Sequence, residues 1–546
     1  MSDVTHHRRL PWSRWLTLAL TLCSAALAAP FFAGRYLPFL DLPQHVGAVA
    51  VLANADEAFR FAHYYSVDLA TSPYLLPYLV AAGLAWFVGP VVAVHLLFAV
   101  AACTLPWAAA WAAWRFERDP WIGLLAAPFA FGAFAFMGFL NFVLSFPVFL
   151  LWLGWWRGAV GRPRFGPASY LVGGALSIGL FYGHVMTFGF AMGACGLVAL
   201  LAETPDEGHR PWPALARRLL RGLHFLPGVA LFGAWTALSE TAKRGELGRM
   251  VSQTIAAEPP RWDHPLDRLK GLLDYALSVY QDQSDEWLLY GWIFALVLFA
   301  ILRKPAPRDP GPPPPQGSLA TRAAHARSRA ELLPALLALS ALLLALLLPA
   351  TYRGIWPIAT RMAPLLALLL LLLPRGPVLW QPAALAIGLT LAGATGWVHA
   401  SHVAAFQPEV GPLHEVVQEV PKGARVMTLI WERDSAVVRW PTFLHFSQYV
   451  LAARGGVSEF SFVNFTKSPI HYVEAHAPPR LPARFEWTPH TYNHGRDGAW
   501  YDRVLMRDGG RSRARQIFRD GPKMQLVKRA GPWALFAKVP APAPQP

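Results

Sequence analysis

The sequence predicts an all-α polytopic membrane bundle of about 11 transmembrane helices, followed by a soluble α/β domain at its C-terminal end. Three observations carry that prediction. Hydrophobic residues make up 54% of the chain and charged residues only 15%. A soluble domain holds about 25% charged residues, so the apolar surplus calls for a lipid solvent. The surplus is gathered into stretches of about 17 to 25 residues, the length of helix that crosses a hydrocarbon core at about 1.5 Å per residue. Beyond residue 400 these stretches stop, and short apolar runs bounded by Gly, Pro and Asp begin, as strands and turns of a soluble domain do.

The first stretch, residues 14–34, follows His6, His7, Arg8 and Arg9 and runs into small residues, features it shares with a cleaved signal peptide. Its continuation through Phe31 and Phe32 toward Leu37 favours a retained first helix with a cytoplasmic amino end. Further stretches fall at 73–88, 90–114, 121–136, 139–157, 168–183, 185–202, 223–241, 287–303, 332–350, 362–375 and 377–399. Basic turns set their sides. The turn with Arg157, Arg162 and Arg164, the turn with Arg217, Arg218 and Arg221, and the basic, Pro-rich linker 304–331 are cytoplasmic by the positive-inside bias. External loops 35–72 and 242–286, the turn at His184, the turn 351–361 and the domain 401–546 then face outward. Four stretches lie between loop 35–72 and Arg157, where parity demands an odd number of crossings. One of those between 73 and 136 is therefore re-entrant or interfacial, or two fuse.

The C-terminal domain, 401–546, begins with an amphipathic stretch from Leu413 to Val420. Val426–Ile430, Tyr501–Met506, Met524–Val527 and Trp533–Val539 read as strands, with a closing hairpin at Arg529-Ala530-Gly531-Pro532. Gly455-Gly456 ends a helix-like stretch from Pro441 to Ala453. The formal charge of +15 is spread over short turns between apolar stretches, so membrane lipids rather than nucleic acid are the expected partners. Cys23, Cys103 and Cys195 lie far apart inside apolar stretches and make neither a disulfide framework nor a metal set. His490, His494 and Asp497 have metal-like spacing, but their Gly- and Arg-rich surroundings read as a surface loop.

Chemistry concentrates in the first external loop, at Pro38-Phe39-Leu40-Asp41-Leu42-Pro43-Gln44-His45, before an amphipathic stretch from Val46 to Arg60. An acid and a histidine on either side of Pro43 place a carboxylate and an imidazole together at the membrane surface. A carboxylate there is suited to general-base work on an acceptor hydroxyl. For an isolated aspartate, capping of the following helix is the commoner role.

At this point the sequence resembles the GT-C superfamily of membrane glycosyltransferases, which includes the protein mannosyltransferases and the aminoarabinose transferase. The resemblance lies in the order of elements along the chain, in Asp41 opening the first external loop, and in Tyr74-Leu75-Leu76-Pro77-Tyr78 opening the next segment. It implies transfer of a sugar from a polyprenyl-phosphate donor at the outer face of the inner membrane, with Asp41 as base and His45 as an orienting group. His184, in Tyr182-Gly183-His184, and Tyr352, Arg353 and Arg361 on the turn before a leucine-rich helix are then candidates to bind the substrate, arginine being suited to a bidentate phosphate contact. Glu240, Lys243 and Arg244 at the start of loop 242–286 are further candidates. The second acid of the superfamily has no counterpart, since Phe134 to Phe142 offers Asn141 and no carboxylate. The resemblance therefore leaves a divalent metal open as a cofactor. The alternative is a non-catalytic polytopic protein, a transporter or a scaffold presenting its external domain.

Overall fold

A computed structural model of the chain describes residues 13–69, 72–159 and 160, 165–201, 211–242, 259–302, 319–352, 355–375, 380–459, 461–464, 468–482, 485–508 and 513–539. Helix α1 (Arg14–Ala28) starts at Ser13, whose hydroxyl accepts the Leu16 N–H at 3.1 Å. A 3-10 turn, Ala29–Phe32, leads into the first loop.

Helix α2 (Leu42–Ala53) is buried on every side from Leu42 to Val51. The sequence suggested an amphipathic stretch over Val46–Arg60, and this is corrected. The helix is sandwiched between α3 (Leu75–Arg115) and the C-terminal domain, whose Gln448 side chain meets Gly47, so it has no solvent face. A π-helical turn, Ala58–Ala62, follows.

Two of the apolar stretches fuse inside α3. Its 41 residues contain a break at Gly89, with φ 78° and ψ 160°, directly before Pro90. Glycine adopts positive φ without strain, and proline disfavours helix in the residue before it. An unbroken helix of that length would measure about 60 Å, twice the hydrocarbon thickness. The stretches 73–88 and 90–114 are therefore two arms of one element. The first arm lies along α2, with the Trp86 indole N–H donating to the Ala53 carbonyl at 2.8 Å.

Residues Pro120–Phe131 form a 3-10 helix, buried from Trp121 to Phe131. Such runs rarely exceed 3–4 residues in general. This one is enclosed by protein, the condition under which irregular backbone is tolerated at membrane depth. Next come α4 (Ala133–Phe136), α5 (Leu140–Ala159), α6 (Pro167–Gly183), α7 (Val185–Leu201), α8 (Pro211–Arg221), α9 (Leu226–Ala242), α10 (Pro265–Leu277), α11 (Ser284–Ile301), α12 (Leu319–Leu347), α13 (Met362–Leu370) and α14 (Gln381–Val410). Among the described residues, 5 helices are long and apolar enough to cross a membrane by length and composition alone. Shorter apolar helices fill out the bundle.

Two boundaries differ from the sequence reading. The linker expected over 304–331 is already helical from Leu319, where alanine and arginine favour helix. The boundary drawn at residue 400 falls inside α14, which meets no stop until Gly411, at φ 61°.

The C-terminal domain opens with α15 (Leu413–Gln418) and also contains α16 (Ser447–Arg454). Strand β1 (Tyr65–Val67) belongs to the first loop, and β2 (Arg425–Ile430), β3 (Val457–Ser458), β4 (Ile470–Tyr472), β5 (Arg503–Arg507), β6 (Met524–Ala530) and β7 (Trp533–Lys538) to the domain. A 5-stranded sheet has the order β3-β2-β5-β7-β6, with β2 parallel to both β3 and β5, and with β7 antiparallel to β5 and β6. The β6–β7 hairpin turns at Gly531, φ 55°, as read from the sequence. Outside that sheet, β1 pairs antiparallel with β4, Tyr65 opposite Tyr472. The loop after the first helix is thus stitched to the last domain.

Candidate active site

A cavity of about 220 Å³ lies where these parts meet. The first loop contributes Asp41 and His45, the start of α3 Tyr74 and Tyr78, and the start of α5 Phe139 to Phe142. His184 enters from the α6–α7 junction, Arg361 from the turn before α13, and Ser461, Phe462, Ser468 and Ile470 from the C-terminal domain.

Asp41 occupies the N-cap position of α2, yet its carboxylate makes no capping bond. Its backbone is fixed from outside the helix: the Leu40 N–H donates to the Phe136 carbonyl at 2.8 Å and the Asp41 N–H to the Met137 carbonyl at 3.1 Å. The turn after α4 can come this close because residue 138 is glycine. Gly138 sits at φ +79°, and a Cβ there would lie 2.7 Å from the backbone nitrogens of Asp41 and Leu42. The carboxylate, freed from the helix, faces His445, with Oδ1 3.3 Å from Nε2.

His45 is buried, and both its ring nitrogens are engaged. The Gly138 carbonyl only accepts, so Nε2–H donates to it at 2.8 Å, and Nδ1 accepts from the Tyr78 hydroxyl at 2.8 Å. Burial pulls its pKa below the ordinary histidine value, against the opposing influence of Asp41 and the Gly138 carbonyl. His45 is therefore neutral, and it ties Gly138 to α3 beneath Asp41.

In the same cavity, Arg361 is buried, its Nε–H donating to the Pro357 carbonyl at 2.6 Å and its Nη1–H to His184 Nε2 at 3.0 Å. The guanidinium lies 5.0 Å from the Phe139 ring centroid and 5.9 Å from that of Phe142, beside the first turn of α5. Tyr74 stacks on His184 at 5.5 Å. Asn141, in that first turn, is 8% exposed, and its Oδ1 has no hydrogen-bond partner among the described residues. An amide oxygen left this way costs about 1–3 kcal/mol, a cost that a bound hydroxyl donating to it offsets. The guanidinium and the N-terminus of α5 are the ingredients of an oxyanion site, and the Asn141 oxygen beside them is an acceptor for a ligand hydroxyl.

Four of the residues singled out in the sequence, Asp41, His45, His184 and Arg361, line this one cavity. Tyr352 is 42% exposed and does not line it. Arg353 and Arg244 lie outside the described residues, as does the side chain of Glu240. His445 and the role of Asn141 were missed. The only sequence signal for His445 was a histidine inside the apolar run Phe443-Leu444-His445-Phe446.

The cavity offers a divalent cation the one carboxylate of Asp41 together with the fixed guanidinium of Arg361, which is not a metal-ligating set. At the other candidate metal cluster, His494 bonds to the Tyr492 hydroxyl at 3.0 Å and to the Pro522 carbonyl at 2.9 Å, and Asp497 is paired with Arg496. Among the described residues, no group of three or more His, Cys, Asp or Glu is placed to hold a metal.

The helical bundle with its cavity under the C-terminal α/β domain has a counterpart among solved structures. The particular likeness is to ArnT from Cupriavidus metallidurans. Its crystal structure bound to undecaprenyl phosphate superposes with a TM-score of 0.56 at 12% identity, over 97% of this chain and 99% of that one. The apo structure of ArnT gives 0.53 at 12% identity, over 96% and 97%. No protein-family profile and no curated protein matches the sequence itself.

Proposed function

We propose that the chain is a multi-pass inner-membrane glycosyltransferase that moves a sugar from a polyprenyl-phosphate donor to an acceptor hydroxyl at the outer face. The observation that carries this reading is the single cavity lined by both Asp41 and Arg361, with the first turn of α5 beside the guanidinium. The fold supports it, being that of an aminoarabinose transferase whose structure holds undecaprenyl phosphate.

In this mechanism the acceptor oxygen attacks the anomeric carbon while its proton passes to the Asp41 carboxylate. The bond from the anomeric carbon to the phosphate oxygen breaks, and its electron pair leaves with the phosphate. The phosphate thereby gains one negative charge, which Arg361 and the N-terminal turn of α5 stabilise. His445 holds Asp41 in place, and His184 holds Arg361. The N-terminus is cytoplasmic and the C-terminal domain external, so the cavity opens to the side where lipid-linked sugars are displayed.

A transporter would place broken helices and ionisable residues near the bilayer midplane, whereas here the ionisable cavity residues sit at helix ends and in loops. The deciding experiment uses the purified chain in detergent with a radiolabelled polyprenyl-phosphate sugar. Consumption of the donor supports the reading, and its persistence at every acceptor tried refutes it. A reporter active only outside the cytoplasm is expected to work when fused after residue 539 and to be silent when fused near residue 315.

A further inference from the structure

We infer that the seam between the first external loop and the C-terminal domain holds a second binding site, for a phosphate-bearing saccharide. A cavity of about 600 Å³ opens there, within the general range of about 300–1,000 Å³ for small-molecule pockets. It shares no lining residue with the cavity of Asp41, so the inference stands apart from the transfer reading.

The site is pre-formed. The Tyr64 hydroxyl donates to the Gly423 carbonyl at 3.0 Å, and the Val473 N–H to the Tyr64 carbonyl at 2.9 Å. The imidazoles of His63 and His476, one from each side of the seam, stack with centroids 3.7 Å apart. Walls fixed in this way need no ordering when a ligand arrives.

The charge of the lining points to an anion. Lys422, Arg425 and Arg503 are three cations against the one carboxylate of Asp502. That carboxylate is fully used by Arg425, which gives it the backbone N–H at 3.1 Å, Nε–H at 3.1 Å and Nη2–H at 2.7 Å. Lys422 and Arg503 are left over. Lys422 is exposed, and Arg503 donates Nη1–H to the Asp502 carbonyl while its buried Nε has no partner among the described residues. Two uncompensated cations match a phosphomonoester.

The rest of the lining points to a ring. Phe59 is 73% exposed, held against the Gly423 backbone, and it lines the same cavity as Tyr64 and the half-buried Trp500. Aromatic faces beside polar groups suit the C–H face of a sugar, whereas a bare anion gains nothing from them.

The test titrates glucose 6-phosphate, glucose and inorganic phosphate into the full chain in detergent, followed by calorimetry. Glucose 6-phosphate is expected to bind at least about tenfold more tightly than either of its parts, a difference of about 1.4 kcal/mol. Lys422→Glu should weaken glucose 6-phosphate by about tenfold or more, with loss of its salt dependence. Phe59→Ala should weaken the sugar phosphate and leave inorganic phosphate unchanged. Both side chains are exposed, and unchanged melting of the variants confirms folding. Inorganic phosphate binding as tightly as glucose 6-phosphate, no binding by any probe, or a Lys422→Glu variant that binds normally would each overturn the assignment.

Discussion

Replacing Asp41 by asparagine removes a proton acceptor and little else. The residue's position is set by backbone bonds, from Leu40 N–H to the Phe136 carbonyl and from Asp41 N–H to the Met137 carbonyl, which a side-chain change leaves intact. No capping bond is lost, since the carboxylate makes none. An asparagine oxygen still accepts from His445 across the 3.3 Å contact, so folding should change by no more than about 1 kcal/mol. Turnover should fall by about 10²–10⁴-fold, the usual contribution of general-base assistance, equivalent to about 2.7–5.4 kcal/mol in the barrier at 1.36 kcal/mol per decade. The assay measures sugar released from a radiolabelled polyprenyl-phosphate donor, alongside melting of the same preparation. Asp41→Ala should behave the same way, without the cap penalty that an N-terminal aspartate normally implies. An asparagine variant with full turnover would remove Asp41 from the chemistry. One that melts early would show that its role is structural.

The other variants report on the parts around it. His445→Ala should lower kcat by about tenfold with little change in KM, and His445→Gln, whose amide nitrogen reaches the Nε2 position, should restore most of the loss; equal loss in both would exclude a positioning role. Arg361→Lys keeps the charge but loses the planar fork that serves Pro357 and His184 together, so undecaprenyl phosphate should bind at least about tenfold more weakly, as read by ligand-induced thermal stabilisation. Gly138→Ala puts a Cβ 2.7 Å from the Asp41 nitrogen at φ +79°, and should cost about 1–3 kcal/mol of stability as well as activity, with normal melting arguing against the strain. Burial raises the Glu459 carboxyl from its ordinary 4.5 to about 8. Between those values the unfolded chain ionises while the folded one stays protonated, so this contribution to stability is complete below about 4.5 and is lost as the pH rises through about 8. Glu459→Gln should flatten the fall in melting temperature across that interval, and an unchanged slope would exclude Glu459 as its source.

The bundle was legible because lipid demands long apolar runs, and the runs at 139–157, 168–183 and 185–202 reappear as α5, α6 and α7 within two residues at either end. Domain strands were legible from short β-branched and aromatic runs between turn residues, and the hairpin from Gly531. The burial of α2 was not, because its cover comes from Gln448 and the α16 region, far along the chain. Asp41 and Arg361 could be picked out one at a time, as charges beside apolar stretches. Their meeting in one cavity, and the pairing of Asp41 with His445, depend on tertiary contacts that leave no local pattern. The same holds for the break at Gly89, which a Gly-Pro pair flags but whose direction only packing decides.

The antiparallel pair of β1 and β4, Tyr65 opposite Tyr472, has a consequence for the order in which this chain matures. Asp41 leaves the ribosome early, but the residues that hold it and roof its cavity come about 400 positions later, roughly 20–80 s at 5–20 residues per second. During that interval the strand edge of the first loop has no partner to pair with. The cavity is complete only when the last domain zips onto the loop, so a prematurely terminated chain lacks both the histidine that faces Asp41 and the residues that roof the cavity.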